Sequence, residues 1–294
     1  MNYKKIFYVL LALFLLFSIA GCSTNEVVIR DSKLAEDADP EVTTPEAQDV
    51  ELIVFAAASM TEVIEEINRA YMEANPHVTI ITNLDSSGTL KTQIEEGANC
   101  DVYISAAQKA MNELDISADP AVNVGQLDFV LEETRKNILE NKVVLAVPGG
   151  NPGNIGSFDE LATRLIEGDI LMAMGNIDVP VGQYTSKILL YYSLDEVALA
   201  ASGVITYAST VKEVTTQVAE GLVDCGVIYS TDAKAANLEV VDQATKEMTD
   251  GQVIYPAAVM KSSKAVDEAK AYLDFLTGPE GAALLEAFGF TPIR

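Results

Sequence analysis

Four stretches of the chain set small residues, hydroxyls or a proline just ahead of a helix-period segment, where first-turn N–H groups could meet an anion. Ser59 follows Ala56-Ala57-Ala58 and has capping-box spacing to Glu62, with alanines that leave room for a small group to approach. Ser87 stands in Asp85-Ser86-Ser87-Gly88-Thr89, two hydroxyls beside a glycine. Val181 follows Val179-Pro180, a helix start with no hydroxyl cap, so its donors need a partner from elsewhere. Val211 follows Ser209-Thr210, again with capping-box spacing from Thr210 to Glu213, and offers its backbone N–H. A helix N-terminus carries about half a unit of positive charge, and a charge-assisted hydrogen bond is worth roughly 1.5 to 3 kcal/mol. Several together offset the desolvation of a dianion without any cation. Lys91 and Lys212 are the cations in these motifs, and their long chains are expected to reach solvent.

Covalent and metal chemistry find little support. A nucleophilic serine needs an adjacent base, and the single histidine, His77, lies in a helix-to-strand turn far from these motifs, while Gly-x-Ser-x-Gly is absent. No Cys/His cluster has zinc spacing. Gly149-Gly150-Asn151-Pro152-Gly153 lacks the Lys-Ser/Thr of a phosphate loop and reads as a loop after a strand. Cys100 and Cys225 each open an apolar strand-like run and are expected as two separate buried thiols.

The elements that must position the four starts alternate regularly. Strand-like runs at 51–57, 78–82 and 101–105 are separated by helical segments at 59–74 and 88–96. A second series has runs at 142–148, 170–174, 203–207 and 225–229, with helices near 158–167, after Val181 and over 211–220. This is the order of right-handed βαβ units and mainly parallel sheets, and the restart implies a second α/β lobe. In such sheets ligands bind beyond the carboxyl ends of the strands, which is where all four starts lie.

The amino terminus places Lys4 and Lys5 before an uncharged apolar run from Ile6 to Ala20, ending in Ser18-Ile19-Ala20-Gly21-Cys22. The run is too short to span a bilayer and has the order of an export signal. Residues 1–21 read as that signal and residues 22–50, rich in acids, Thr and Pro, as a disordered tether. Removing the signal takes away two lysines and no acid, moving the formal charge from −25 to −27. Nucleic acid is therefore a poor partner.

FAAASM with TEVIEEI, DSSGTLKTQIEEGANCDVYISA, DVPVGQYTSKIL, GVIYSTDA and FLTGPEGAALLEAFGF resemble the molybdate-binding proteins of bacterial ABC importers, over about residues 51–290. The resemblance implies a two-lobed periplasmic-binding-protein fold of type II, with a hinge of two crossing strands. Lobe 1 would comprise residues 51–141 plus 253–294, and lobe 2 residues 142–252. It implies an extracytoplasmic substrate-binding protein, not an enzyme, which captures molybdate and tungstate and delivers them to a cognate permease and its ATPase as a monomer without a cofactor. Other oxyanions such as sulfate or thiosulfate, or tungstate alone, are the alternative, and a serine hydrolase is the remote one. By motif, the ligand would be held by the hydroxyls of Ser59 and Ser87, the N–H groups of Val181 and Val211, and the hydroxyl of Tyr229, with Ala58, Gly88 and Thr89 as secondary contacts and no side chain on the metal atom itself. From the residues alone, Tyr229 reads as packing between lobes. The family commonly has a small polar residue at Gly88 and alanine at Val181. Small residues before Cys22 resemble a lipobox, which implies lipidation of that cysteine on the outer face of the cytoplasmic membrane.

A donor-only site favours a dianion without a proton, because the O–H of a protonated phosphate would find no acceptor. Sulfate would be rejected by size. The acidic chain repels any anion at range, and screening over about 8 Å at physiological salt weakens that repulsion. Association is thus expected to accelerate as ionic strength rises; stopped-flow rate constants that fall with added salt would contradict this.

Overall fold

The computed structural model describes residues 49–293, so the export segment, Cys22 and nearly all of the tether lie outside the described residues. The chain begins with β1 (Val50–Ala57), α1 (Thr61–Ala74), β2 (Val78–Asp85), α2 (Ser87–Glu95), β3 (Val102–Ile104), α3 (Gln108–Asn112) and β4 (Lys136–Asn141). It continues through β5 (Val143–Val147), α4 (Phe158–Glu167), β6 (Met172–Gly175), α5 (Pro180–Tyr191), α6 (Glu196–Ser202), β7 (Ile205–Ala208), α7 (Val211–Ala219), β8 (Cys225–Tyr229), α8 (Ser230–Ala235) and β9 (Glu239–Gln243). β10 (Val253–Val259), α9 (Val266–Thr277), α10 (Pro279–Phe288) and β11 (Thr291–Pro292) complete it.

Two sheets result, ordered β11-β4-β10-β3-β1-β2 and β7-β6-β8-β5-β9. The chain passes between them twice, at Asn141-Lys142-Val143 and between β9 and β10, giving the two-lobed α/β architecture. The sheets are mixed, which corrects the expectation of mainly parallel ones. β1 pairs parallel with β2 and β3, and β6 with β7 and β8, but β10 runs antiparallel to β3 and β4, and β5 antiparallel to β8 and β9. The reason lies in the crossings: β5 and β10 enter their sheets from the other lobe and so run against the βαβ direction. β4, flanked by charges and Asn, carries too weak an apolar pattern to be read as a strand from sequence.

Core packing follows the periodicities. On β1, Val54 and Ala56 face one apolar cluster and Phe55 the other, as expected for a strand covered on both faces. On α1, Val63, Ile64, Ile67 and Tyr71 form the buried stripe. Each such side chain contributes about 1.5 to 3 kcal/mol on burial. Cys100 and Cys225 are separate buried thiols. Burial pushes both well above the ordinary thiol range. Among the described residues, no helix is long and apolar enough to cross a membrane.

Two lysines depart from expectation. Lys91 pairs with Glu95 at 3.2 Å and Glu113 at 3.0 Å rather than pointing into solvent. Lys212 on α7 reaches Glu62 on α1 of the other lobe at 2.7 Å and Asp232 on α8 at 3.0 Å. Asp232 has no exposed side-chain surface. Burial raises its carboxyl to about 7, although the Lys212 ammonium pulls the other way. Burial alone would lower Lys212, but Asp232 and Glu62 outweigh it and raise it. The exposed Glu62 arm is worth at most about 1 kcal/mol. The buried arm matters more, because an uncompensated internal charge is costly.

An acid whose folded pKa exceeds its unfolded value adds stability that is complete below the unfolded value and is lost as pH rises through the folded one. Removing the ammonium raises Asp232 further, so the added loss falls above about pH 7. Lys212→Met is therefore expected to lower Tm more at pH 8 than at pH 5, with roughly 2 to 4 °C between the two deficits for each kcal/mol that ionising the unpaired carboxyl costs. Equal deficits in calorimetric melts at both pH values would show that Asp232 does not depend on Lys212.

Candidate functional site

The carboxyl ends of β1, β2, β3, β6, β7 and β8 converge between the lobes on a small cavity of about 10 Å³. That is far below the roughly 300 to 1,000 Å³ of pockets for organic ligands, so an organic solute has no room there. Ser59, Ser87, Val181, Val211 and Tyr229, far apart in sequence, all line it. Ala57, Ala58, Ser86, Ala106, Val179 and Pro180 complete the wall, and none of these residues is charged.

Each start is built differently. Ser59 does not cap α1, contrary to its capping-box spacing: it lies in a 3-10 turn, Ala58–Met60, and α1 opens at Thr61 with no side-chain cap. Thr61 Oγ1 instead donates to the Ala58 carbonyl at 2.7 Å. Ser59 Oγ is thereby freed, and it bonds the Tyr255 hydroxyl at 2.9 Å. At α2 the cap is Ser86, whose Oγ accepts from the Thr89 N–H at 3.2 Å, leaving Ser87 at the first helical position. Ser87 Oγ accepts from the Ala106 N–H at 2.9 Å. A backbone N–H can only donate, so the Ser87 hydrogen is left to point elsewhere.

Val179 precedes α5 without any side-chain cap, and Pro180 at the first position has no N–H to satisfy. The Val181 N–H is thus the first available donor of that helix. Thr210 caps α7 by accepting from Glu213 at 3.2 Å, while the Glu213 carboxylate takes the Ser209 N–H and hydroxyl. Val211 follows that cap as the first helical residue. Tyr229 ends β8, its hydroxyl 3.4 Å from the Ala106 carbonyl. Burial first, then the neighbouring Tyr255, raises Tyr229 well above the ordinary phenol range, and burial does the same to Tyr255. Both hydroxyls therefore keep their protons.

Gly88 and Thr89 do not line the cavity. The Gly88 N–H donates to the Asp178 carbonyl at 3.0 Å, and a Cβ there would come within 2.5 Å of the same oxygen. Glycine thus lets the loop before α2 meet the loop before α5. Thr89 is bonded to Ser86 through both its N–H and its hydroxyl. Sequence reasoning missed Ser86, Ala106 and Tyr255. Ala106 lies just beyond the carboxyl end of β3, so the rule that located the four starts could have found it; Tyr255, inside β10, carries no such signal. His77 pairs with Glu268 at 3.6 Å, away from the cavity lining.

Comparison with known proteins agrees with this geometry. Residues 52–291 match the family of bacterial extracellular solute-binding proteins. A putative ABC transporter substrate-binding lipoprotein, YvgL of Bacillus subtilis, is 32% identical over 98% of this chain and 99% of its own length. The molybdate-binding protein ModA of Haemophilus influenzae is 28% identical over 83% of this chain and 91% of its own. The periplasmic molybdate-binding protein of Azotobacter vinelandii superposes with a TM-score of 0.67 at 23% identity, covering 83% of this chain and all of that one, and so shares the fold. A neutral, donor-lined cavity between two α/β lobes is a place to hold a solute rather than to transform it, and the chain belongs to the bacterial extracellular solute-binding proteins.

Proposed function

We propose that the solute is a fully ionised tetrahedral oxyanion, molybdate with tungstate as its near-isostere, held between the lobes and delivered to a cognate ABC permease and its ATPase. The observation that carries this reading is the cavity wall itself: hydroxyls and helix-start N–H groups from both lobes, with no cation and no carboxylate. In this reading Ser59, Ser87 and Tyr229 donate hydroxyl hydrogens, Val181 and Val211 donate backbone N–H groups, and Ala58 lies in secondary contact. Gly88 and Thr89 act indirectly, through the inter-lobe contact and the α2 cap. Lobe 1 comprises residues 51–141 and 253–294 and lobe 2 residues 142–252, with the donor set complete only when the lobes are closed. The molybdate-binding relative supports the choice of ligand.

The lipoprotein relative supports an anchor at Cys22. Intact mass of the mature protein is expected to show a diacylated cysteine as its first residue; an unmodified or differently cleaved amino terminus would refute the anchor.

Calorimetric titration is expected to give tight, comparable binding of molybdate and tungstate and far weaker binding of sulfate. Ser87→Ala removes one charge-assisted bond, so molybdate should bind roughly 10- to 150-fold more weakly. Tight sulfate binding with none for molybdate would overturn the assignment.

A further inference from the structure

A serine hydroxyl is both donor and acceptor, so a site that must only donate needs something behind each serine to occupy its lone pairs. For Ser87 the Ala106 N–H does this. For Ser59 the partner is another hydroxyl, Tyr255, which could itself run either way. The direction is set one residue further back. Asn141 Nδ2 donates to Tyr255 at 3.2 Å and to Thr231 Oγ1 at 3.0 Å. Its Oδ1 accepts from the Lys142 N–H at 2.8 Å and from Ser230 Oγ at 3.2 Å. The Lys142 N–H can only donate, so it fixes which end of the amide is oxygen, and all four hydrogen-bonding positions of that amide are then filled.

We propose that Asn141 and Tyr255 are positioning residues that set the polarity of the Ser59 hydroxyl. Asn141 occupies a lone pair of the Tyr255 oxygen, the Tyr255 hydrogen turns to Ser59, and the Ser59 hydrogen is left for the cavity. Tyr255 has no solvent exposure, and Ser59 Oγ stands 2.9 Å from its hydroxyl, on hand to accept that hydrogen. Asn141 also ends β4 at the crossing between lobes, and Thr231 and Ser230 belong to α8 of the second lobe. The polarity of a first-lobe donor thus depends on contacts that the second lobe completes. Discrimination between an oxyanion with a proton and one without is then governed by a residue that never touches the solute.

This inference rests on the oxyanion reading of the site, and its test separates the two. Molybdate affinity is measured on the full chain for wild type, Tyr255→Phe, Ser59→Ala and the double variant. Tyr255→Phe is expected to weaken binding about tenfold alone but less than twofold in the Ser59→Ala background, because its effect passes through that hydroxyl. Asn141→Asp replaces a donor to Tyr255 by an acceptor while keeping the oxygen that meets Lys142. The chain of hydroxyls should then reverse and turn a Ser59 lone pair into the cavity. The molybdate-to-hydrogen-phosphate affinity ratio at pH 8, where both ligands are dianions and the added charge cancels, is expected to fall at least tenfold. Additive losses in the cycle, or an unchanged ratio in a folded Asn141→Asp protein, would overturn the proposal while leaving molybdate binding intact. If Asn141→Asp does not fold, the cycle decides alone. Wild-type protein that binds neither molybdate nor tungstate would overturn the oxyanion reading and this proposal with it.

Discussion

The first turn of an α-helix carries N–H groups that its own backbone cannot satisfy, and much of this molecule is arranged around where those groups point. α2, α5 and α7 begin at carboxyl ends of strands in two different sheets, and their starts meet at one cavity. Ordinary capping does not compete for that space. Ser86 and Thr210 cap from one residue before Ser87 and Val211, and α5 has no side-chain cap at all. Ser59 is withdrawn from capping by the 3-10 turn that precedes α1. Concentrating so many donors without a cation gives the site a positive field that no carboxylate in the cavity wall neutralises.

Charges are handled elsewhere, and in the same way. Lys212, adjacent to the cavity residue Val211, is committed to Glu62 and Asp232 rather than to the site. That commitment also links the lobes, since Glu62 lies on α1 and Lys212 on α7. The close approach of Gly88 to Asp178 is a second link, made through backbone atoms and open only to a residue without a Cβ. These contacts join the two lobes beside the cavity.

The fold was largely legible because its signals are local. Apolar runs such as Val143–Val147 and Cys225–Tyr229, and the amphipathic stripe of α1, report strand and helix by period alone. What the local pattern did not reveal was β4, β9, β11 and the short helices α3, α6 and α8, together with the strand directions at the crossings, which depend on how the chain returns from the other lobe. In the site, Ser59, Ser87, Val181 and Val211 were visible as helix starts, and Tyr229 only through resemblance. Tyr255 and Asn141 were not visible, since a tyrosine in an apolar strand and an asparagine at a strand end have no periodic or motif signature.

Neighbouring residues alone indicate where α2, α5 and α7 begin, that α5 lacks a hydroxyl cap, and that no histidine, cysteine or lysine cluster is available for other chemistry. Such properties are settled within a turn or a strand, so the linear order of residues carries them. Folding adds what no local pattern holds: that four such starts and a tyrosine face one cavity, that Lys212 is taken up in an ion pair, and that the Ser59 hydroxyl is backed by Tyr255 and Asn141. A hydroxyl's direction depends on which partner occupies its lone pairs, and here that partner lies 196 residues away along the chain.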